Sequence, residues 1–280
     1  MPHDLSVIVP VYNEEANILP LTREVRAAMN GRDFELVFVD DGSTDSTWAE
    51  IAKAHSLEPR VRGLRHVKNA GQSAALWTGI QSSTAPVIAT LDGDLQNDPA
   101  DIPKLLMELE GCDFVCGVRA NRNDSWIRRV SSRAARAARR AALKVDFCDT
   151  GCALRVFKRS ALRGVFPFNG LHRFMPVLVH AAGGRIRELP INHRARTAGE
   201  SKYGLHNRLW RGIADLLAIA WYQKRRIGET PYIEFHEQPE PVSGLGGLGL
   251  YRGSSGTPYA SGFTYRRSDI GSGPWYERIE

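Results

Sequence analysis

Three times in its first hundred residues this chain runs from a short apolar stretch into polar, mostly acidic residues and then into a helical pattern. Leu5 to Val11 ends in Tyr12-Asn13-Glu14-Glu15, Phe34 to Val39 ends in Asp40-Asp41-Gly42-Ser43-Thr44-Asp45, and Val87 to Leu91 ends in Asp92-Gly93-Asp94. Short apolar runs closed by turn residues read as buried strands. Strands alternating with helices specify an α/β fold with a mostly parallel central sheet and helices on both faces. In such sheets ligands bind outside the carboxyl ends of the strands, so the acidic residues are expected along one crevice. Further strands are expected near 61–66, 113–118, 152–157 and 185–190.

Asp92-Gly93-Asp94 carries the most specific chemistry. Carboxylates two residues apart at a strand end point to the same side. A hard cation such as Mg²⁺ takes one or two carboxylates together with phosphate oxygens, so the pair suits a metal held against a diphosphate. Asp-Gly-Asp also makes an ordinary turn, and Asp41, Ser43 and Thr44 also suit helix capping. Asp40 is the hardest of these to explain by capping.

With 280 residues and 42% hydrophobic side chains, the chain is long and apolar enough for a sizeable core. The strand and helix patterns continue to residue 227 and then stop. The expected organisation is a catalytic domain over 1–227 followed by a Gly-rich, flexible tail over 228–280, which holds 10 glycines and eight aromatic residues. No apolar run approaches bilayer-spanning length, and the N-terminus enters a strand without a signal-peptide pattern. The expected location is therefore cytoplasmic, peripheral on the inner face of the membrane. Cys112 and Cys116 flank or lie within one strand, where four extended steps separate them by roughly 13 Å. That is too far for one zinc ion, and buried reduced thiols are expected.

The formal charge of +6 is unevenly placed, since nine basic residues and one acid lie between Arg119 and Lys144. Arg129, Arg133, Arg136 and Arg140 recur at helical spacing along one face. A solvated face is the ordinary fate of such a run, but like charges without acidic partners repel, and an anionic membrane surface relieves that repulsion. No aromatic residues interleave the stripe for base stacking and no nucleic-acid motif is present, so no nucleic acid partner is expected. His206 to Arg226 is a second amphipathic stretch, with core packing and burial in a membrane interface both open.

Val7-Ile8-Val9-Pro10-Val11-Tyr12-Asn13-Glu14-Glu15, Val39 to Asp45, Asn69-Ala70-Gly71-Gln72 and Leu91 to Pro99 resemble, in order, the successive motifs of the family-2 inverting glycosyltransferases. The chain looks most like the polyprenyl-phosphate branch, similar to dolichol-phosphate mannose synthases and bactoprenol glucosyltransferases, over roughly residues 4 to 227. The resemblance implies the nucleotide-diphospho-sugar transferase (GT-A, Rossmann-like) fold. It also implies transfer of one sugar from a nucleoside-diphosphate sugar to a polyprenyl phosphate, with Mg²⁺ or Mn²⁺ as cofactor.

Carried over residue by residue, it assigns Asp92, Asp94 and Gln96 to catalysis and metal. Pro10, Tyr12, Glu14, Asp40, Asp41 and Gly71 line the donor site, with Ser201 and Lys202 on a loop, 197–204, that closes over the diphosphate. Arg194 or Arg196 is expected to add positive charge there. Arg119, Arg128 and Ser132 take the acceptor phosphate. A phosphate monoester is largely dianionic at neutral pH, so no dedicated general base is required, and direct displacement inverts the anomeric centre.

Hydroxyl-acceptor relatives commonly carry a Glu-Asp base motif. This chain has Asp149-Thr150-Gly151-Cys152-Ala153-Leu154-Arg155 at the comparable place. A hydroxyl acceptor on a glycan or glycolipid is the alternative reading, and a non-catalytic protein docking on anionic lipid or nucleic acid is a third. Nucleotidyl transfer is disfavoured because Pro10-Val11-Tyr12-Asn13 stands where a Gly-rich phosphate loop belongs.

Overall fold

The computed structural model describes residues 3–119, 137, 140–194 and 205–225, and short strands at 233–234, 264–265 and 276–278. Residues 1–225 with 274–280 form one compact unit, and 226–273 form a second. In the first unit the seven expected strands are β1 (Leu5–Val11), β2 (Phe34–Asp40), β3 (Val61–Arg65), β4 (Val87–Thr90), β5 (Phe114–Arg119), β6 (Arg155–Lys158) and β7 (Ile186–Ile191). The described residues of the second unit are β8 (Ile233–Glu234) and β9 (Thr264–Tyr265), paired antiparallel. A three-residue strand, β10 (Tyr276–Arg278), adds to the sheet of the first unit, whose order is β10-β7-β5-β6-β4-β1-β2-β3.

Strand polarity explains the layers. Along β1 the side chains of Leu5, Val7, Val9 and Val11 enter one core and that of Ile8 enters the other. In β2, Phe34, Leu36 and Phe38 part from Val37 and Val39 in the same way. Both faces are apolar because both are covered, as the period-two alternation of a doubly packed sheet requires. Helices α1 (Ile18–Ala28), α2 (Thr47–Leu57) and α4 (Ile102–Glu108) cover one face. Helices α3 (Gln72–Ser82), α5 (Leu171–Ala181) and α6 (Leu205–Arg225) cover the other.

One strand departs from the parallel plan. β6 starts at Arg155, three residues later than expected, and runs antiparallel between β4 and β5, with Phe157 stacked on Phe114 at 4.8 Å. Its first residue pairs with Thr90, the last residue of β4. The start of β6 therefore lies at the edge where the parallel strands end. All four cysteines are free thiols. Burial pushes the Cys112 and Cys116 thiols up and that of Cys152 to about 12.

Candidate active site

β4, β1 and β2 are neighbours running in parallel, so their carboxyl ends stand side by side. The turn after β4 lies against the end of β1: a Cβ on Gly93 would come within 2.6 Å of Val11 Cγ1, so only glycine lets the two pack. Leu95 takes a left-handed conformation, φ 61°, a costly choice for a residue with a Cβ and one that clusters at functional sites. Asp94 Oδ1 accepts the Gln96 N–H at 3.2 Å, and Asp92 Oδ1 accepts from Gln72 Nε2 at 2.8 Å.

Burial and then the charge of Asp94 raise the Asp92 carboxyl to about 6, with Arg155, Arg119 and Gln72 pulling the other way. The carboxyl is hemmed in by protein although part of the residue meets solvent. Two mutually repelling carboxylates in one turn suit Mg²⁺ or Mn²⁺. Among the described residues they belong to no group of three or more metal-ligating side chains. Diphosphate oxygens and water would therefore complete the coordination, as a hard cation allows.

The acids after β2 do different work from one another. Asp41 is engaged on both oxygens: Oδ1 accepts the Ala70 N–H at 2.9 Å and lies 2.7 Å from His66 Nδ1, while Oδ2 accepts the Gly71 N–H at 2.8 Å. It holds the loop that enters α3, and Gly71 caps that helix with φ 94°. Asp40 is fully buried, and its Oδ1 accepts from the Ser43 N–H. Its Oδ2 lies 3.2 Å from Arg65 Nε, an ion pair without hydrogen-bond geometry, and accepts no hydrogen bond among the described residues. The Arg65 charge offsets the burial of this oxygen.

Ser43 and Thr44 do not cap α2. They tie β2 to β1, Ser43 Oγ accepting from the Asn13 N–H and the Thr44 N–H donating to Asn13 Oδ1. Glu14 is fixed by its N–H to Thr47 Oγ1 and by Asn17 Nδ2 donating to Oε2. Pro10 and Tyr12 stand partly exposed at the end of β1.

On the other side of β4 two arginines stand at the edge, each engaged by its neighbours. Arg119, the last residue of β5, donates from Nε and Nη2 to the two oxygens of Asp149 at 2.6 and 2.8 Å. Arg155 is 3% exposed and donates to the carbonyls of His172 and Thr150. His172 Nδ1 lies 2.6 Å from Ser73 Oγ, and burial together with Arg173 and Arg155 lowers its ring to about 3. Asp149, Arg155, Gln72, Ser73 and His172 were not identified as site residues from the sequence. Their placement follows from the antiparallel course of β6 and the approach of α5 to α3, neither of which a local pattern reveals.

Arg128, Ser132, Arg196, Ser201 and Lys202 lie outside the described residues. The segment leading into the last three is stitched to the acidic turn. The Arg194 N–H donates to the Gln96 carbonyl, Asn97 bridges His193, and the Arg194 guanidinium pairs with Glu24 and Asp98. Arg194 thus serves as an anchor here. α6 divides its faces: Ile219, Leu216, Ala220 and Tyr222 join the core, whereas Leu217 and Trp221 are 63% and 64% exposed.

Sheet and edge together define the GT-A class of nucleotide-sugar transferase folds. A mannosyltransferase from Pyrobaculum calidifontis, solved with GDP-Man and Mn²⁺, superposes with a TM-score of 0.56 at 20% identity, over 82% of this chain and 66% of its own. Glucosyl-3-phosphoglycerate synthase from Mycobacterium tuberculosis, solved with uridine diphosphate, gives 0.60 at 21% identity over 86% and 88%.

The chain belongs to glycosyl transferase family 2, whose model matches residues 6–166. It is 37% identical over 255 residues to dodecaprenyl-phosphate galacturonate synthase of Rhizobium johnstonii, covering 88% of this chain and 72% of the relative. It is 36% identical over 205 residues to undecaprenyl-phosphate 4-deoxy-4-formamido-L-arabinose transferase of Aeromonas hydrophila, covering 72% of this chain and 63% of that one. The chain thus spans less than two thirds of the second relative.

Proposed function

We propose that this chain transfers one sugar from a nucleoside-diphosphate sugar to a polyprenyl phosphate, inverting the anomeric centre, with Mg²⁺ or Mn²⁺ at Asp92, Asp94 and Gln96. One observation supports the reading most: at a single sheet edge, the acidic turn after β4 adjoins Arg119 of β5 and Arg155 of β6, whose charges act on Asp92, Thr90 being paired with Arg155. Acids are needed where a metal meets the leaving diphosphate, and arginines where an anionic acceptor arrives. The relatives named for dodecaprenyl and undecaprenyl phosphate support that acceptor class. The Mn²⁺ in a solved structure of the same fold supports the metal.

The chain's own residues divide the work. Asp40, ion-paired with Arg65, and Pro10, Tyr12 and Glu14 at the adjacent ends of β2 and β1 take the nucleotide. Asp41 holds the 66–71 loop and Gly71, and Gln72 steadies Asp92 for the diphosphate. The cation, when bound, neutralises charge on the departing nucleoside diphosphate. Arg119, with Arg128 and Ser132, orients an acceptor that is already ionised, so positioning replaces proton abstraction. Ser201 and Lys202 close over the donor from a segment rooted at the acidic turn.

Membrane contact belongs to the same proposal. Leu217 and Trp221, four residues apart on the exposed face of α6, precede exposed Lys224 and Arg225, an arrangement suited to an anionic inner-leaflet surface. The deciding experiment offers a panel of nucleotide sugars with undecaprenyl and dolichyl phosphate. A lipid-linked, mild-acid-labile product that requires Mg²⁺ or Mn²⁺ and disappears in Asp94→Ala is expected. Full activity in chelator overturns the metal, and an acid-resistant product overturns the phosphate acceptor.

A further inference from the structure

We infer that Asp149 is the positioning residue that presents Arg119 to the acceptor phosphate, an inference that rests on the acceptor reading above. A guanidinium offers two forked edges, one made by Nε and Nη2 and the other by Nη1 and Nη2. Asp149 occupies the first, with Oδ2 accepting from Nε at 2.6 Å and Oδ1 from Nη2 at 2.8 Å. Nothing among the described residues accepts from Nη1. The second edge therefore remains for a phosphate, whose oxygens match the same fork. The side chain of Asp149 is 6% exposed and that of Arg119 19%, so the carboxylate backs the guanidinium and the guanidinium stands nearer solvent.

Asp149 is itself held from both sides. Glu188 of β7, 1% exposed, accepts the N–H groups of Cys148 and Asp149 at 2.9 to 3.3 Å. The Thr150 carbonyl accepts from Arg155 Nη2 at 2.9 Å, and Asp149 Oδ1 accepts the Gly151 N–H at 3.1 Å. Gly151 also leaves room for the guanidinium, because a Cβ there would lie 3.1 Å from Arg119 Nη2. A carboxylate clamped this firmly converts a long, many-rotamer side chain into a fixed fork, and the ordering is complete before the acceptor arrives.

The test compares wild type, Asp149→Asn, Asp149→Ala, Arg119→Lys and the Asp149→Asn/Arg119→Lys double variant, with undecaprenyl phosphate as acceptor. Asp149→Asn preserves shape should Asp149→Ala fail to fold, and nucleotide binding with Mn²⁺ checks the donor side. Expected is a fall of about tenfold in kcat/KM for the acceptor in Asp149→Asn, the scale of ordering one long side chain. The donor KM should stay within about twofold, and the double variant should be no worse than Arg119→Lys alone.

Additive losses, with the acidic limb of the pH–rate profile abolished in Asp149→Asn, would show that Asp149 acts on the reacting atoms and overturn the inference. Unchanged acceptor kinetics in Asp149→Asn overturn it as well. Wild-type protein that transfers nothing to polyprenyl phosphate overturns the acceptor reading first and this inference with it.

Discussion

Gln72 donates from Nε2 to Asp92 Oδ1 at 2.8 Å, joining the first turn of α3 to the turn after β4. Gln72→Ala removes this bond and leaves both carboxylates in place. A hydrogen bond to an ionised group contributes about 1.5 kcal/mol or more, so Mn²⁺ affinity measured with nucleoside diphosphate should fall about tenfold. Calorimetric titration reads the affinity, and a melting curve should show a fall of about 3 °C or more from loss of the same bond.

Asp92 gives a pH dependence of definite sign. Its carboxyl titrates at about 6 in the folded chain against 3.8 as the ordinary value. The folded state therefore binds the proton more tightly between those values, and this residue's share of stability declines as pH rises through that window. Wild type should gain melting temperature relative to Asp92→Asn on going from pH 7 to pH 4. Mn²⁺ affinity, which needs the ionised form, should fall about tenfold per pH unit below 6.

His172 titrates in the opposite sense. Its ring is lowered to about 3 from 6.5, so the unfolded chain takes up the proton first and stability is lost as pH falls below 6.5. His172→Gln should flatten the melting temperature between pH 7 and pH 5 relative to wild type. An equal slope in the two proteins would assign the acid sensitivity to other groups.

Leu217→Gln and Trp221→Gln test membrane contact. Both side chains are exposed, so stability should change by less than about 0.5 kcal/mol. Co-sedimentation with vesicles containing anionic lipid should weaken in each variant, and further in the pair. Binding that persists unchanged would confine membrane attachment to other segments.

The legible part of this molecule is the part written locally. Leu5–Val11, Phe34–Asp40 and Val87–Thr90 are strands whose apolar runs stop where acids begin, and those acids do meet at one edge. The polarity of β6 was not legible, because a four-residue strand buried on both faces reads the same in either direction. With it went the positions of Arg155 and Asp149. Asp41 also holds its own chain, its carboxylate accepting the Ala70 and Gly71 N–H groups and lying beside His66. That pairing spans 25 to 30 residues and leaves no periodic trace. The amphipathic pattern of α6 could not separate core from exposed face, and the helix supplies both.

The antiparallel course of β6 has a consequence for how such a chain can diversify. β5 leaves the sheet at Arg119 and β6 re-enters it at Arg155, on one and the same rim. The strand ends that bound residues 120–154 are each fixed by pairing with their neighbours, so changes of sequence between them need not re-register β5 or β6.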